Sequence, residues 1–144
     1  MRSTRFSRVC IAALLATLLL TTVSALAKDG RDFVGFYNFS HARSQGDGVR
    51  VTLNLQVQNL SASDVKGAVI SLRQNTGLVN VGESKPIKLL RDHGSAKVSQ
   101  RFTVSRTEYE VWRQGTQPTV FIVYRDAHGK WLERYIQLAP GHAF

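Results

Sequence analysis

Ten consecutive residues, 49–58 (VRVTLNLQVQ), alternate apolar and polar without exception. Side chains of an extended strand point to opposite faces with a period of two. Val49, Val51, Leu53, Leu55 and Val57 therefore share one face, and Arg50, Thr52, Asn54, Gln56 and Gln58 share the other. A helix would scatter the same residues around its circumference. The segment reads as a strand with one face on a core and one in water, and that core needs a second apolar layer to close it.

The remaining chain supplies that layer in short pieces. Residues 33–39 (FVGFYNF) predict a first strand, followed by a polar loop over 41–48 with two glycines. Residues 65–72, 78–81 and 87–90 predict further strands, the last opened by Pro86, which suits an edge where no ladder donor is needed. Residues 96–104 alternate again, with Gln100 the exception, and 119–124 (TVFIVY) are apolar on both faces, as a central strand requires. Residues 131–138 (WLERYIQL) form the return strand after a hairpin loop at Asp126-Ala127-His128-Gly129. Ser105 and Glu108 have the spacing of a helix capping box, predicting one short helical turn near 106–113 that Gly115 and Pro118 end. Residues 33–39 and 78–81 are the expected sheet edges. Seven to eight strands with turn signals every 8–12 residues predict an all-β chain, a single Ig-like antiparallel β-sandwich.

The N-terminus has a different character. Arg2, Arg5 and Arg8 precede an apolar run over 9–23, and Ala25-Leu26-Ala27 supplies small residues where a peptidase cuts. This order predicts a secretory signal peptide over 1–27 and an Ig-like domain over 28–144, exported to a periplasmic or extracellular location. An uncut signal would instead anchor the protein. The apolar run, at about 15 residues, is short of the ~20 a membrane span needs, so no transmembrane span is expected after cleavage. Cys10 and Met1 leave with the signal, so the mature chain has no sulfur and needs no disulfide. The net charge falls from +9 to +6, and its cations are spread along the chain. A nucleic-acid binder concentrates charge in a patch or stripe, so no nucleic-acid partner is expected.

Catalytic signatures are absent: there is no G-x-S-x-G, P-loop, G-x-G-x-x-G or H-E-x-x-H. His41, His93, His128 and His142 stand at no metal-ligand spacing. The expectation is a non-enzymatic chain with no cofactor and no metal site. Asn38-Phe39-Ser40 and Asn59-Leu60-Ser61 are glycosylation sequons that matter only in a glycosylating host. The candidate ligand surface is built from Trp131, Tyr135, Arg134 and Trp112. Trp131, Glu133, Tyr135 and Gln137 are expected on one face of the last strand, and Leu132, Arg134, Ile136 and Leu138 on the other, while Trp112 packs its helical turn over the end of the core.

Residues 49–74, with Asn59, Asp64, Val65, Val69 and Leu72 in place, resemble the strand pair of bacterial extracellular immunoglobulin-like domains of the CARDB and fibronectin type III-like kind. The hairpin over 119–138 is similar to their final strand pair. The resemblance implies a binding or structural module and carries no catalytic residue across. Two functions follow as expectations: a module binding a protein partner at the cell envelope, through strand edges or a loop-end surface, or a module binding glycan through exposed aromatics. Mass analysis of the exported protein is expected to give a chain beginning at Lys28; an intact Met1 end would mean a retained anchor.

Overall fold

The computed structural model describes residues 32–140; the expected signal peptide, Cys10 and His142 lie outside the described residues. Among the described residues, nine strands and one helix follow in chain order: β1 (Phe33–Gln45), β2 (Gly48–Asn59), β3 (Val65–Arg73), β4 (Asn80–Glu83), β5 (Ile87–Leu90), β6 (Ser95–Ser105), α1 (Arg106–Arg113), β7 (Thr119–Arg125), β8 (Trp131–Tyr135) and β9 (Gln137–Pro140). They form two sheets. The first has the order β6-β2-β1-β9; the second has β4-β3-β7-β8, with β5 also paired to β3. The chain is an all-β sandwich, as the alternation predicts.

The strict alternation in β2 sets the interior. Val51, Leu53, Leu55 and Val57 are at most 1% exposed, and Val49 is 6% exposed. Each such side chain contributes about 1.5–3 kcal/mol when fully buried. Facing them across the sandwich are Ile70 and Leu72 from β3 and Val120 and Ile122 from β7, all at 0%. β7 lies between β3 and β8, which is why it is apolar on both faces.

Three expectations need correction. Residues 41–48 are not a loop: β1 runs on to Gln45 and pairs with Gly48 across a two-residue turn. Gly46 sits at φ +55, as the first central position of a tight II′ hairpin turn requires. The polar run there hid the strand because a bulge at His41-Ala42 breaks the period of two; Ser40 faces Thr52, but Arg43 faces Arg50. Secondly, residues 33–39 are not a free edge, because β9 pairs in parallel with β1 over Val34–Tyr37. Thirdly, the return strand divides at Ile136. β8 stays on β7, and β9 crosses to the first sheet, giving nine strands and one parallel pair. Gly35 permits this crossing: a Cβ there would meet Ile136 Cγ2 and Leu55 Cδ1 at 2.9 Å each.

The capping box forms by half. Ser105 accepts a hydrogen bond from the Glu108 backbone N–H at 3.1 Å and caps α1. The Glu108 carboxylate turns away and accepts from the Asn75 N–H at 2.6 Å, holding the β3–β4 turn.

Asn59, at 0% exposure, joins the end of β2 to the loop between β5 and β6. Its side-chain amide donates to the carbonyls of Ser63 (2.8 Å), Arg91 (3.1 Å) and Leu90 (3.3 Å). Its carbonyl accepts from the Ser61 N–H and hydroxyl. The fold thereby closes the Asn59 sequon, since the nitrogen that would carry a glycan is enclosed and engaged. Asn59→Ala leaves buried acceptors without a donor and is expected to cost about 1–3 kcal/mol in urea unfolding. Gln58→Ala, on the outward face, is expected to stay within about 0.5 kcal/mol.

Candidate functional site

The outward residues of the second sheet bring two of the expected site residues together. In the register of β7 and β8, Phe121 faces Tyr135, Val123 faces Glu133 and Arg125 faces Trp131. Trp131 is 56% exposed and Tyr135 is 51% exposed. The Arg125 guanidinium lies 4.6 Å from the Trp131 ring centre, and Arg73 lies 4.3 Å from that of Phe121. Both are cation–π contacts. Arg73 also forms an ion pair with Glu133. Tyr135 meets Phe121 edge-on, with centroids 5.9 Å apart and planes at 73°. The result is an aromatic ridge framed by paired charges.

The other two expected residues are not part of it. Arg134 lies on the opposite side of β8 and pairs with Asp32 at 3.4 Å. Trp112 is buried at 7% and stacks on Phe39, centroids 4.8 Å apart and planes at 1°. It packs α1 over the core, as the helical spacing suggests. Gln137 belongs to β9 in the first sheet and does not extend the ridge.

A second surface was not legible as a cluster in the sequence. Cations evenly spread along the chain become concentrated when the strands pair. Arg43 faces Arg50 across β1–β2, and Arg101 faces Thr52 across β2–β6. All three arginines are exposed on the outer side of the first sheet, with His41 beside them. The signal lay in combining the period of two with the hairpin register, and the bulge at His41-Ala42 concealed it.

Next to these arginines is an open groove of about 690 Å³, lined by the apolar Phe39, Leu55 and Val98, by Lys97, and by Asn38, Ser40, His41, Asn54, Gln56 and Ser99. Its polar side chains are linked. The Asn54 amide donates to Asn38 Oδ1 at 2.9 Å and to Ser40 Oγ at 3.0 Å, and Asn54 Oδ1 accepts from the Ser99 hydroxyl at 2.8 Å. His41 adopts φ +53, uncommon for a residue with a side chain, and its Nδ1 lies 3.0 Å from Ser40 Oγ.

Among the described residues no group of three or more His, Cys, Asp or Glu side chains could hold a metal ion, and no helix is long and apolar enough to cross a membrane. Burial raises the pKa of Tyr37. Burial is also the main cause of the raised pKa of Tyr124, which Asp32 and Asp126 push further up while Arg134 opposes them.

No protein-family model and no curated protein matches this chain. Among solved structures, it is similar to a crystal structure of the GH20 exo β-N-acetylglucosaminidase from Vibrio harveyi in complex with N-acetylglucosamine, at 12% identity and a TM-score of 0.45. That likeness covers 76% of this chain but only 18% of the Vibrio chain. A protein from Archaeoglobus fulgidus is similar at 10% identity and a TM-score of 0.31, over 72% of this chain and 90% of that one. At these scores neither likeness carries an argument about activity.

Raised phenol pKa values mean that folding favours the protonated forms. The stability they contribute is complete below the unfolded value of 10.0 and is lost as pH rises through the folded values. Spectrophotometric titration is expected to show a phenol fraction ionising above 10.0, with urea stability falling over the same range. Stability unchanged across that range would contradict the burial of these phenols.

Proposed function

We propose that this chain is a non-catalytic binding module, exported to the cell envelope, that engages a protein partner through the outer face of β3, β7 and β8. The observation that carries this reading is the exposed ridge of Trp131 and Tyr135, with Arg73 and Arg125 held against neighbouring rings. Tryptophan, tyrosine and arginine dominate the binding energy of protein interfaces, where a large ring brings contact area at a low entropy cost. The charges on this face are already paired or stacked, so a partner meets pre-oriented groups and less ordering entropy is lost on contact. The resemblance of residues 49–74 and 119–138 to extracellular immunoglobulin-like modules supports the same reading.

A glycan on this same ridge is the weaker reading. Sugar stacking uses a free, outward-facing ring plane, whereas Arg125 lies over Trp131, and Tyr135 and Phe121 stand edge-to-face.

A photo-crosslinker at Val123, in the centre of the face, is expected to trap one defined partner in the native host. Trapping is expected to fall at least about tenfold in a Trp131→Ala, Tyr135→Ala double variant, since each anchor of this kind is worth about 1–2 kcal/mol or more. Equal capture from a crosslinker at Thr103 on the other sheet, or capture indifferent to the double variant, would remove the proposal.

A further inference from the structure

We infer that the outer face of β1, β2 and β6 is a second, separate binding site, and that its ligand is an acidic polysaccharide carrying carboxylate or sulfate groups. The argument begins with what this face lacks. The outward positions run Val34, Phe36, Asn38, Ser40 and Arg43 on β1, Arg50 to Gln58 in steps of two on β2, and Ser95 to Thr103 in steps of two on β6. None is Asp or Glu. The guanidinium groups of Arg43, Arg50 and Arg101 have no ion pair or hydrogen bond among the described residues. The second sheet, by contrast, neutralises Arg73 with Glu133.

Like charges directly opposite on an antiparallel pair destabilise it. Arg43 and Arg50 stand in that relation with Arg101 close by, and His41 in a strained conformation lines the same hollow. An anion bridging the guanidinium groups relieves the repulsion. It also uses the planar fork that suits carboxylate and sulfate oxygens.

The neighbouring groove decides what kind of anion. Asn38, Ser40, Asn54 and Ser99 offer both donors and acceptors, already oriented by their mutual hydrogen bonds. Sugar hydroxyls, which also donate and accept, complement such a mixed lining. A phosphate surface is acceptor-only and leaves the acceptors of the groove unused. Phe36, 45% exposed and facing Gln56, ends the amide row on the side away from the arginines. It presents a single ring beside the amides. Single-stranded nucleic acid favours successive aromatic platforms along a basic groove, and the hollow that Arg43, Arg50 and Arg101 share is lined by no Phe, Tyr or Trp. A membrane surface favours a protruding apolar rim beside the cations, and this face is recessed there.

The test measures binding of the purified chain to alginate and to dextran sulfate, with neutral dextran, phosphatidylglycerol vesicles and oligo(dT) as comparators. Salt-sensitive binding to at least one acidic glycan, stronger than to any comparator, is expected. An Arg50→Ser, Arg101→Ser double variant is expected to weaken it about tenfold or more. A Lys66→Ser, Lys88→Ser variant makes the same change in net charge on the other sheet and is expected to leave it unchanged. Asn54→Ala is expected to weaken glycan binding severalfold and leave oligo(dT) retention where it was. Circular dichroism and thermal melting confirm that each variant is folded. Binding to neither acidic glycan, equal or tighter binding to vesicles or oligo(dT), or equal loss in the two charge-matched variants would overturn the inference. Because Trp131 and Tyr135 take no part, failure here leaves the protein-partner reading standing, and failure of that reading leaves this one.

Discussion

The five inward side chains of β2 fix where everything else in the molecule can go. β2 has hydrogen-bonded neighbours on both sides, β1 and β6. A slip of one residue in either pairing would turn Val51, Leu53, Leu55 and Val57 toward water and bring Arg50 and Asn54 inside. At about 1.5–3 kcal/mol per buried aliphatic side chain, such a slip is prohibitive. The same constraint dictates the outside. Once the aliphatic row is committed to the core, Arg50, Thr52, Asn54 and Gln56 must line the opposite face, whatever the strands beside them carry. The basic groove is thus the reverse side of the hydrophobic row.

Closure relies on backbone rather than sulfur. Cys10 is the only cysteine of the chain, so no disulfide can form within it. Two other devices bind the layers. The crossing at Ile136 takes one continuous segment from β7's edge to β1's edge, and the Ile136 N–H donates to the Val120 carbonyl at 2.9 Å as it leaves. At the opposite side of the sandwich, Gly82 of β4 sits so close to Phe102 of β6 that a Cβ would meet the ring at 2.9 Å. Ser84 ties the β4–β5 connection to β3 just before Pro86: its N–H donates to the Ile70 carbonyl and its hydroxyl accepts from the Ile70 N–H. The part of β1 beyond Tyr37 lacks β9 as a neighbour, and there the bulge at His41-Ala42 breaks the regular ladder. Irregular edges of this kind resist pairing with other chains.

Elements whose signal is local were legible in the sequence. β2, β3, β7 and α1 stand where alternation, β-branched runs and the Ser105 cap place them, because those signals depend on residues within a few positions of one another. What escaped depends on partners distant in sequence. The crossing of β9 to β1 needs Gly35 and Ile136 to meet, and nothing local to either announces it. Glu108 fits a capping box until Asn75 arrives with an unpaired N–H. Trp131 and Tyr135 could be placed on one face from spacing alone. Separating Arg134 from them followed from the same alternation, yet its Asp32 partner needed the fold. The arginine cluster escaped altogether, since Arg43 and Arg101 are brought to the two sides of β2 by pairings distant in sequence, and a bulge shifts the one that places Arg43.

Net charge is therefore a poor guide to this surface, and its distribution a good one. Both sheets carry arginines outward, but they are held in opposite ways. On the second sheet Arg73 and Arg125 lie over rings, and Glu133 takes up Arg73, which spends their charge within the protein. On the first sheet Arg43, Arg50 and Arg101 keep theirs. An arginine engaged by its own neighbours supports an interface through packing and orientation, where electrostatics sets specificity more than strength. An arginine without a counter-charge keeps its repulsion with its neighbours, which salt screens and a bound anion relieves. The two faces are back to back on a sandwich whose sheets pack about 10 Å apart, so a ligand on one leaves the other open. One small fold can in this way offer two chemically unlike surfaces, with the interior that separates them fixing both.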